Sequence, residues 1–254
     1  MNFDKAAELI KAAGGKLHWS ISTGSTQDEA KNAEFPETGF TVFVANSQNA
    51  AYGRNGRRWS APIGGLWFSL LFKPAVTTSD SWRLPAAAAV ASASVLRFST
   101  GINAGLKWPN DIIVRDSEGK VRKLGGILIE THTSGQDILR CTAGFGLNIA
   151  NTLSDDLRTE AVSLCELTET GIGTEELMAE IVKEFIKRVR PGYTAGLKII
   201  EEFRRLSLID GSACRVHSSI DIIEGIFNGV DNDFSARIMT AGGEVRVSSG
   251  ELFL

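Results

Sequence analysis

A series of strand-like segments with no helix between them constrains the fold more than any other feature of this sequence. Residues 105–114, 123–131 and 139–149 are rich in apolar and β-branched residues, and short stretches of Gly, Ser, Asp and Thr separate them. Antiparallel neighbours are joined by short turns, whereas parallel strands need long crossover connections. The succession therefore predicts a mixed, mainly antiparallel sheet.

Helix-forming segments lie on either side of this strand-rich region. Residues 82–100 are rich in alanine, and residues 155–207 place apolar side chains at the spacing of one helix face, as in Leu177, Ile181 and Phe185. The strands between these helical regions follow one another without a helix between each pair. The predicted class is α+β, a mixed sheet flanked by helices.

The C-terminal segment, residues 209–254, has a different pattern. It consists of short strand-like runs divided by Gly, Asp and Asn, which is typical of a small β-barrel. A unit of this size is marginally stable alone, so we expect it to pack on the rest of the chain. The predicted domains are residues 1–208 and residues 209–254.

Composition excludes several functional classes. The net charge of −3 gives no overall attraction to nucleic acid, and the three cysteines and three histidines are scattered, which disfavours a disulfide framework or a His/Cys metal site. No segment has the pattern of a signal peptide or the length of a membrane span. We therefore expect a cytoplasmic protein that binds neither membranes nor DNA.

The segment 52–59 is the first candidate for ligand binding. Gly53 allows the backbone to approach a ligand closely, Arg54 and Arg57 offer planar donors for phosphate oxygens, and Trp59 has a flat face that suits an adenine ring. From composition alone, a solvated basic loop is an equally good interpretation.

The segment 107–111 is the second candidate. Lys107 lies at the end of a predicted strand beside a rigid proline turn, where it is placed to bridge a carboxylate and a phosphate, and Asp111 is suited either to hold a metal ion or to orient the lysine. Taken as an isolated string, a buried Trp-Pro turn is the better interpretation.

Glycine-rich strands are the third candidate. Gly125 and Gly126 interrupt a strand, which often marks the close approach of a ligand or another backbone. The segment 144–149 is superficially like a dinucleotide-binding fingerprint, but its third glycine is replaced by Ile149 and no helical pattern follows. The sequence also has no P-loop motif, so any nucleotide is bound in another way.

The order of these motifs resembles the biotin protein ligase family. The resemblance runs from about residue 22 to 151 and continues more faintly from 225 to 251, which is similar to that family's SH3-like domain. The motifs that carry it are Ser25-Thr26-Gln27, Gly53-Arg54-Asn55-Gly56-Arg57-Arg58-Trp59, Lys107-Trp108-Pro109-Asn110-Asp111, Lys123-Leu124-Gly125-Gly126-Ile127-Leu128 and Gly144-Phe145-Gly146-Leu147-Asn148.

The resemblance implies an ATP-dependent ligase with a class II synthetase-like catalytic domain. Members of that family form biotinyl-5′-AMP from biotin and ATP with Mg²⁺, and then transfer biotin to one lysine of a biotin carboxyl carrier protein. We accordingly expect biotin, ATP and Mg²⁺ as ligands and a carrier domain as partner, docked beside an exposed strand. The same edge would serve a homodimer.

The resemblance also implies roles for individual residues. The expected catalytic residues are Lys107 and Arg54, and the expected Mg²⁺ ligand is Asp111. The residues expected to bind biotin are Ser25, Thr26, Gln48, Gly53, Arg54, Lys107, Gly125, Gly126 and Ile127. The residues expected to bind the nucleotide are Arg54, Arg57, Trp59, Asn110, Lys123 and Asn148.

The sequence departs from the family pattern in the loop expected to close over the ligand. The family's loop begins Gly-Arg-Gly-Arg or Gly-His-Gly-Arg, but this chain has Ala51-Tyr52-Gly53-Arg54, and it has Gln27 where the family has asparagine. Tyr52 removes one cation from the loop. From the sequence we therefore expect a lid that releases biotinyl-AMP more readily than is usual.

The sequence leaves three other functions open. A lipoate or octanoate ligase would have a similar fold, and a non-catalytic biotin-binding protein would tolerate the altered loop. A biotin-responsive DNA-binding repressor is the weakest alternative, because only a short segment precedes Ser22.

Overall fold

Two β-sheets and five α-helices form the main elements of the computed structural model, which describes residues 3–116, 118–169, 173–190, 196–218 and 220–254. The helices are α1 (Asp4–Ala12), α2 (Thr26–Asn32), α3 (Arg83–Thr100), α4 (Thr174–Val189) and α5 (Gly196–Leu206). The strands are β1 (Gly15–Ser20), β2 (Phe40–Ala45), β3 (Leu66–Phe72), β4 (Gly105–Lys107), β5 (Asp111–Arg115), β6 (Val121–Ser134), β7 (Asp137–Leu147), β8 (Ala213–His217), β9 (Ile222–Val230), β10 (Ala236–Thr240), β11 (Gly243–Val247) and β12 (Glu251–Phe253).

The larger sheet has seven strands in the order β1-β2-β3-β7-β6-β5-β4. Only β1 and β2 run parallel, and every other neighbouring pair is antiparallel. The prediction of a mixed, mainly antiparallel sheet is confirmed. Because β2 and β3 are buried along their whole length, the centre of this sheet lies inside the protein.

Residues 105–114 do not form one continuous strand, and the predicted end of a strand at Lys107 is confirmed. This segment forms a hairpin in which β4 and β5 are joined by Trp108, Pro109 and Asn110, with Lys107 paired to Asp111. Proline has no backbone N–H to donate to a sheet, so a strand does not continue through it. The turn brings a lysine and an aspartate to adjacent positions at the end of the hairpin.

Helix α3 packs in the core largely through small residues. Helix α3 buries most of its alanines and contacts α4 and α5, and Gly101, with φ 74°, ends it in the left-handed conformation. Of the region predicted to be helical, 155–207, only α4 and α5 are long helices; residues 170–172 and 191–195 lie outside the described part. No helix in that part has both the length and the hydropathy that crossing a bilayer requires.

The smaller sheet is antiparallel, with the order β11-β10-β9-β8-β12. It is consistent with an SH3-like unit but is open rather than a closed barrel. Phe227 and Phe234 join the main hydrophobic core, and the backbone carbonyl of Phe234 accepts a hydrogen bond from Trp108 Nε1 at 2.8 Å. This packing joins the smaller sheet to the β4–β5 turn. The division at residue 208 stays a prediction.

Candidate active site

A cavity of about 330 Å³ lies between the central strands of the larger sheet, the loop 51–59, the β4–β5 turn and the beginning of β12. The predicted site residues that line it are Ser25, Thr26, Gln48, Gly53, Arg54, Arg57, Trp59, Lys107, Asn110, Asp111, Lys123, Gly126, Ile127 and Asn148. Residues far apart in the sequence therefore meet in one place.

Gly125 is the predicted site residue that does not line this cavity. Successive residues of a strand face opposite sides of the sheet, and Gly126 takes the side that faces the cavity. A Cβ atom on Gly125 would lie 2.4 Å from Leu147 Cδ2. Gly125 thus allows close packing against the neighbouring strand and does not line the cavity, so the structure gives its predicted role in biotin binding no support.

The loop 51–59 is a closed hairpin rather than an extended segment. Gly53 N donates to Arg57 O at 2.7 Å, and Trp59 N donates to Ala51 O at 2.9 Å. Two residues with positive φ, Asn55 at 57° and Gly56 at 70°, reverse the chain between them. This geometry aims both candidate arginines toward the cavity and the smaller sheet.

The smaller sheet contacts both candidate arginines of the loop. Arg54 Nη1 donates to the carbonyl of Gly250 at 2.9 Å, and Arg57 forms an ion pair with Glu251. Burial lowers the pKa of Arg54 below its ordinary value, although a guanidinium group stays protonated in proteins. Arg54 is therefore a fixed positive charge at the cavity wall.

Trp59 lies on a platform made by two glycines that pair across β6 and β7. A Cβ atom on Gly146 would lie 2.9 Å from Trp59 Cε2, and one on Gly126 would lie 3.3 Å from Trp59 Cζ3. Lys123 Nζ is 5.2 Å from the centre of a ring of Trp59, which is a cation–π arrangement. The glycines are needed here because any side chain would push the indole away.

The positively charged end of the cavity is organised around Asp111. Lys107 Nζ is 3.1 Å from Asp111 Oδ2, and Lys123 Nζ is 2.6 Å from Asp111 Oδ1. Burial by itself would raise the pKa of Asp111, but the charges and hydrogen bonds of Lys123 and Lys107 outweigh it and hold that pKa below its usual value. Each ammonium group has further N–H donors for an anionic ligand.

The predicted Mg²⁺ ligand does not fit this geometry. Both carboxylate oxygens of Asp111 already accept hydrogen bonds from lysines. Within the described ranges there is also no cluster of three or more His, Cys, Asp or Glu residues suited to a metal ion. The arrangement favours the other role considered for Asp111, which is to orient Lys107.

Asn110 fastens the β4–β5 turn to the sheet. Its Nδ2 atom donates to Ile127 O at 2.7 Å, and Ile127 N donates to Asn110 O at 3.0 Å. Arg54 Nη1 lies 3.4 Å from Asn110 Oδ1, so the turn also supports the loop arginine. Asn148 is buried at the cavity wall, where its Oδ1 atom accepts from Asn151 Nδ2 at 3.1 Å.

A second set of polar side chains in the cavity carries no charge. Ser25 caps α2 by accepting from Asp28 N at 3.4 Å, and Gln48 Oε1 accepts from Thr26 N at 2.6 Å. Thr26 Oγ1 and Ser69 Oγ are 3.0 Å apart. These contacts hold several small donors and acceptors in fixed positions without a formal charge.

Sequence reasoning did not identify Ser69, Phe68 or Phe145 as site residues. Ser69 is the only polar residue of β3, and a lone serine inside an apolar strand was the available signal. Phe68 and Phe145 are paired across β3 and β7 and stack with ring centroids 4.7 Å apart. They give the cavity an apolar wall.

Comparison with known proteins identifies the family. The profile of the biotin/lipoate A/B protein ligase family matches residues 19–148, which is just over half of the chain and includes most of the cavity. The chain belongs to this family. The resemblance inferred from the sequence is thereby confirmed at the level of the family.

Relatives and solved structures agree with this assignment. A biotin–[acetyl-CoA-carboxylase] ligase of Mycobacterium tuberculosis is 28% identical, over 96% of this chain and 92% of the relative. The bifunctional ligase/repressor BirA of Bacillus subtilis is 29% identical, over 92% of this chain and 71% of the relative. The structure of a biotin protein ligase from Aquifex aeolicus in complex with biotin and ATP matches with a TM-score of 0.77 at 24% identity, covering 93% of this chain and 97% of that one. This last likeness bears on the fold alone and supports the predicted α+β class.

Proposed function

We propose that the protein is a biotin protein ligase, which forms biotinyl-5′-AMP from biotin and ATP and transfers biotin to a lysine of a biotin carboxyl carrier protein. The observation that carries the proposal is that one cavity has a neutral polar group at Thr26, Gln48 and Ser69 together with a cationic group at Lys107, Lys123 and Arg54. The neutral polar group suits the cyclic urea of biotin. The cationic group suits the biotin carboxylate and the triphosphate of ATP, which are both anionic.

The first half-reaction brings two anions together. A biotin carboxylate oxygen attacks the α-phosphorus of ATP, the bond from that phosphorus to the β-phosphate oxygen breaks, and pyrophosphate leaves. Lys107 and Lys123, held by Asp111, are positioned to neutralise the charge that builds up on the phosphate oxygens. Preorganised charge of this kind lowers the barrier without reorganisation during the reaction.

Mg²⁺ is assigned to the nucleotide rather than to a protein cage. This ion is usually held by substrate phosphates and a few carboxylates, and Asp111 is already paired with lysines. When bound, Mg²⁺ would supply charge neutralisation for the leaving pyrophosphate. The residues described here bind and orient the reacting groups.

The second half-reaction is acyl transfer to an amine. The neutral amine of the carrier lysine attacks the acyl carbon, the bond to the AMP oxygen breaks, and the ammonium proton is lost to solvent. A mixed anhydride survives only where water is excluded, and the loop 51–59 covers the cavity in the manner of a lid. Since ATP is the second substrate, the proposed place of action is the cytoplasm.

The partner is proposed to dock at the edge of the larger sheet. Strand β1 is an edge strand, and β4, at the other edge, is flanked by Ser207 and Leu208. A carrier domain aligned beside β1 would use strand addition, and a second copy of the chain would compete for the same edge.

Labelling of a carrier domain tests the proposed function. The protein is incubated with ATP, Mg²⁺, labelled biotin and a biotin carboxyl carrier domain, with parallel reactions lacking ATP and with labelled lipoate in place of biotin. We expect ATP-dependent labelling with biotin only, because lipoate has no N–H groups for the neutral end and would leave buried polar atoms unpaired. Labelling with lipoate in preference to biotin would instead identify the protein as a lipoate ligase. Binding of biotin without labelling of the carrier would identify it as a non-catalytic biotin-binding protein.

A further inference from the structure

Tyr52 connects the loop 51–59 to helix α2. Its hydroxyl group donates to Asp28 Oδ1 at 2.7 Å and accepts from Lys31 Nζ at 2.7 Å. Lys31 Nζ also lies 5.1 Å from the centre of the Tyr52 ring. The side chain that replaces a cation of the family's loop is therefore engaged on both its hydroxyl group and its ring face.

The same cluster reaches strand β6 through Glu130. Lys31 Nζ is 2.7 Å from Glu130 Oε1, and Tyr52 Oη is 3.4 Å from Glu130 Oε2. Glu130 Oε2 also accepts from Gln27 Nε2 at 2.8 Å. Glu130 thus joins the loop, α2 and β6 at one point beside the cavity.

The surroundings of Tyr52 favour its protonated, uncharged form. Burial, followed by the hydrogen bond to Asp28 and the charge of Glu130, raises the pKa of Tyr52 to about 12 in spite of Lys31. Partial burial lowers the pKa of Lys31, but hydrogen bonds to Glu130 and Tyr52 outweigh it and leave that pKa raised. At neutral pH the cluster therefore contains a protonated tyrosine and a charged lysine, with the cation on α2 instead of the loop.

We propose that Tyr52, Lys31 and Glu130 form a latch that holds the loop 51–59 closed over the cavity before any ligand binds. In the terms of the proposed function, on which this part rests, the latch retains biotinyl-adenylate until the carrier arrives. These are positioning residues, because they act through the loop. The sequence alone predicts a lid that releases its intermediate readily, and the latch predicts the opposite.

Limited proteolysis tests the latch without any ligand. The loop contains Arg54, Arg57 and Arg58, each a trypsin site. Tyr52→Phe removes only the hydroxyl group, and Lys31→Met removes the cation; Lys183→Met on α4, whose amine pairs with Glu180, is the matched control. We expect cleavage within the loop, located by mass spectrometry, to be about tenfold faster in the first two variants, as the loss of a charge-assisted hydrogen bond implies.

The control should be cleaved at the wild-type rate, and circular dichroism should show the same fold for all four proteins. Wild-type cleavage rates in both Tyr52→Phe and Lys31→Met would overturn the latch, whatever the protein's activity.

A chase experiment tests what the latch does for the intermediate. The adenylate is formed from labelled biotin and ATP, unlabelled biotin is added in excess, and release is followed over time. Tyr52→Phe and Lys31→Met should release the adenylate about tenfold faster than the wild type, and release should change more than the rate of adenylate formation at saturating biotin. Release as slow as in the wild type would contradict this role, and a wild type that forms no adenylate would contradict the proposed function while the proteolysis still judges the latch.

Discussion

The two ends of the cavity are built by different physical means. At one end, Asp111 holds two lysines by ion pairs of 2.6 and 3.1 Å. At the other end, Thr26 is held by neutral hydrogen bonds to Gln48 and Ser69. Charge developed during a reaction is stabilised by the first kind of group, whereas a neutral head group is recognised by the second. Substitutions at the two ends should therefore affect different kinetic constants.

The largest effect is expected from Lys107→Met. This change removes a charge from the place where phosphate charge develops, so kcat for adenylate formation should fall by about 10²–10³ while biotin binding changes much less. Biotin-dependent exchange of pyrophosphate into ATP measures it. Lys183→Met, a substitution of an exposed lysine on α4, is the control. An unchanged kcat in Lys107→Met would remove the basis for assigning chemistry to this end.

Asp111→Asn should have the next largest effect. It keeps the shape of the side chain but leaves two lysines without their anionic partner, and we expect a fall in kcat of about 10- to 100-fold. Stability should respond to pH in a defined direction, because the pKa of Asp111 is lowered in the folded protein. The stabilisation by Asp111 is present above the unfolded pKa of about 3.9 and is lost as the pH falls through the lower, folded value.

Urea unfolding at a series of pH values measures this part of the prediction. The difference between the wild type and Asp111→Asn should be constant near neutral pH and should shrink below about pH 4. A difference that grows on acidification would mean that the carboxyl group is not held ionised by the lysines.

Ser69→Ala should act on the neutral end alone. Losing one hydrogen bond to Thr26 should raise KM for biotin about fivefold with little change in kcat. Ser92→Ala is a matched control, since Ser92 is also a buried serine but bonds to the carbonyl of Ala88 within α3. A fall in kcat that equals the rise in KM would erase the distinction between the two ends.

The smallest effect is expected from Glu251→Gln. Its ion pair with Arg57 joins the loop to the smaller sheet, but the arginine side chain is 58% exposed, and such pairs contribute little. We expect adenylate formation to change by less than about threefold. A fall in the rate of adenylate formation as large as that in Lys107→Met would show that the exposed Arg57–Glu251 ion pair is as important as the lysines held by Asp111.

Sequence patterns predicted the sheet well because most of its strands are apolar runs bounded by turn residues. They placed a strand end at Lys107 but did not predict that the residues on either side of Pro109 pair with each other as β4 and β5. They also missed α2, whose signals are Ser25 as a cap, Asp28 and Glu29 in the first turn and Lys31 in the last turn. A helix this short owes its stability to tertiary contacts, which a local pattern does not contain.

The candidate site was predictable to the extent that its residues stand in motifs. Lys107, Asp111 and Arg54 were found in this way, and the structure brings them together. The pairing of Asp111 with Lys123 was not predictable, because it depends on the register of β5 against β6. The contacts of Tyr52 with α2 likewise depend on tertiary packing, and for that reason the sequence suggested only a missing cation.

A crystal structure with a stable analogue of biotinyl-adenylate tests the difference between the two ends most directly. We predict that Lys107 Nζ lies within about 3 Å of the acyl-phosphate oxygens and that the urea ring lies beside Thr26, Gln48 and Ser69. An analogue bound in the reverse direction, or Lys107 turned away from the phosphate toward solvent, would contradict it.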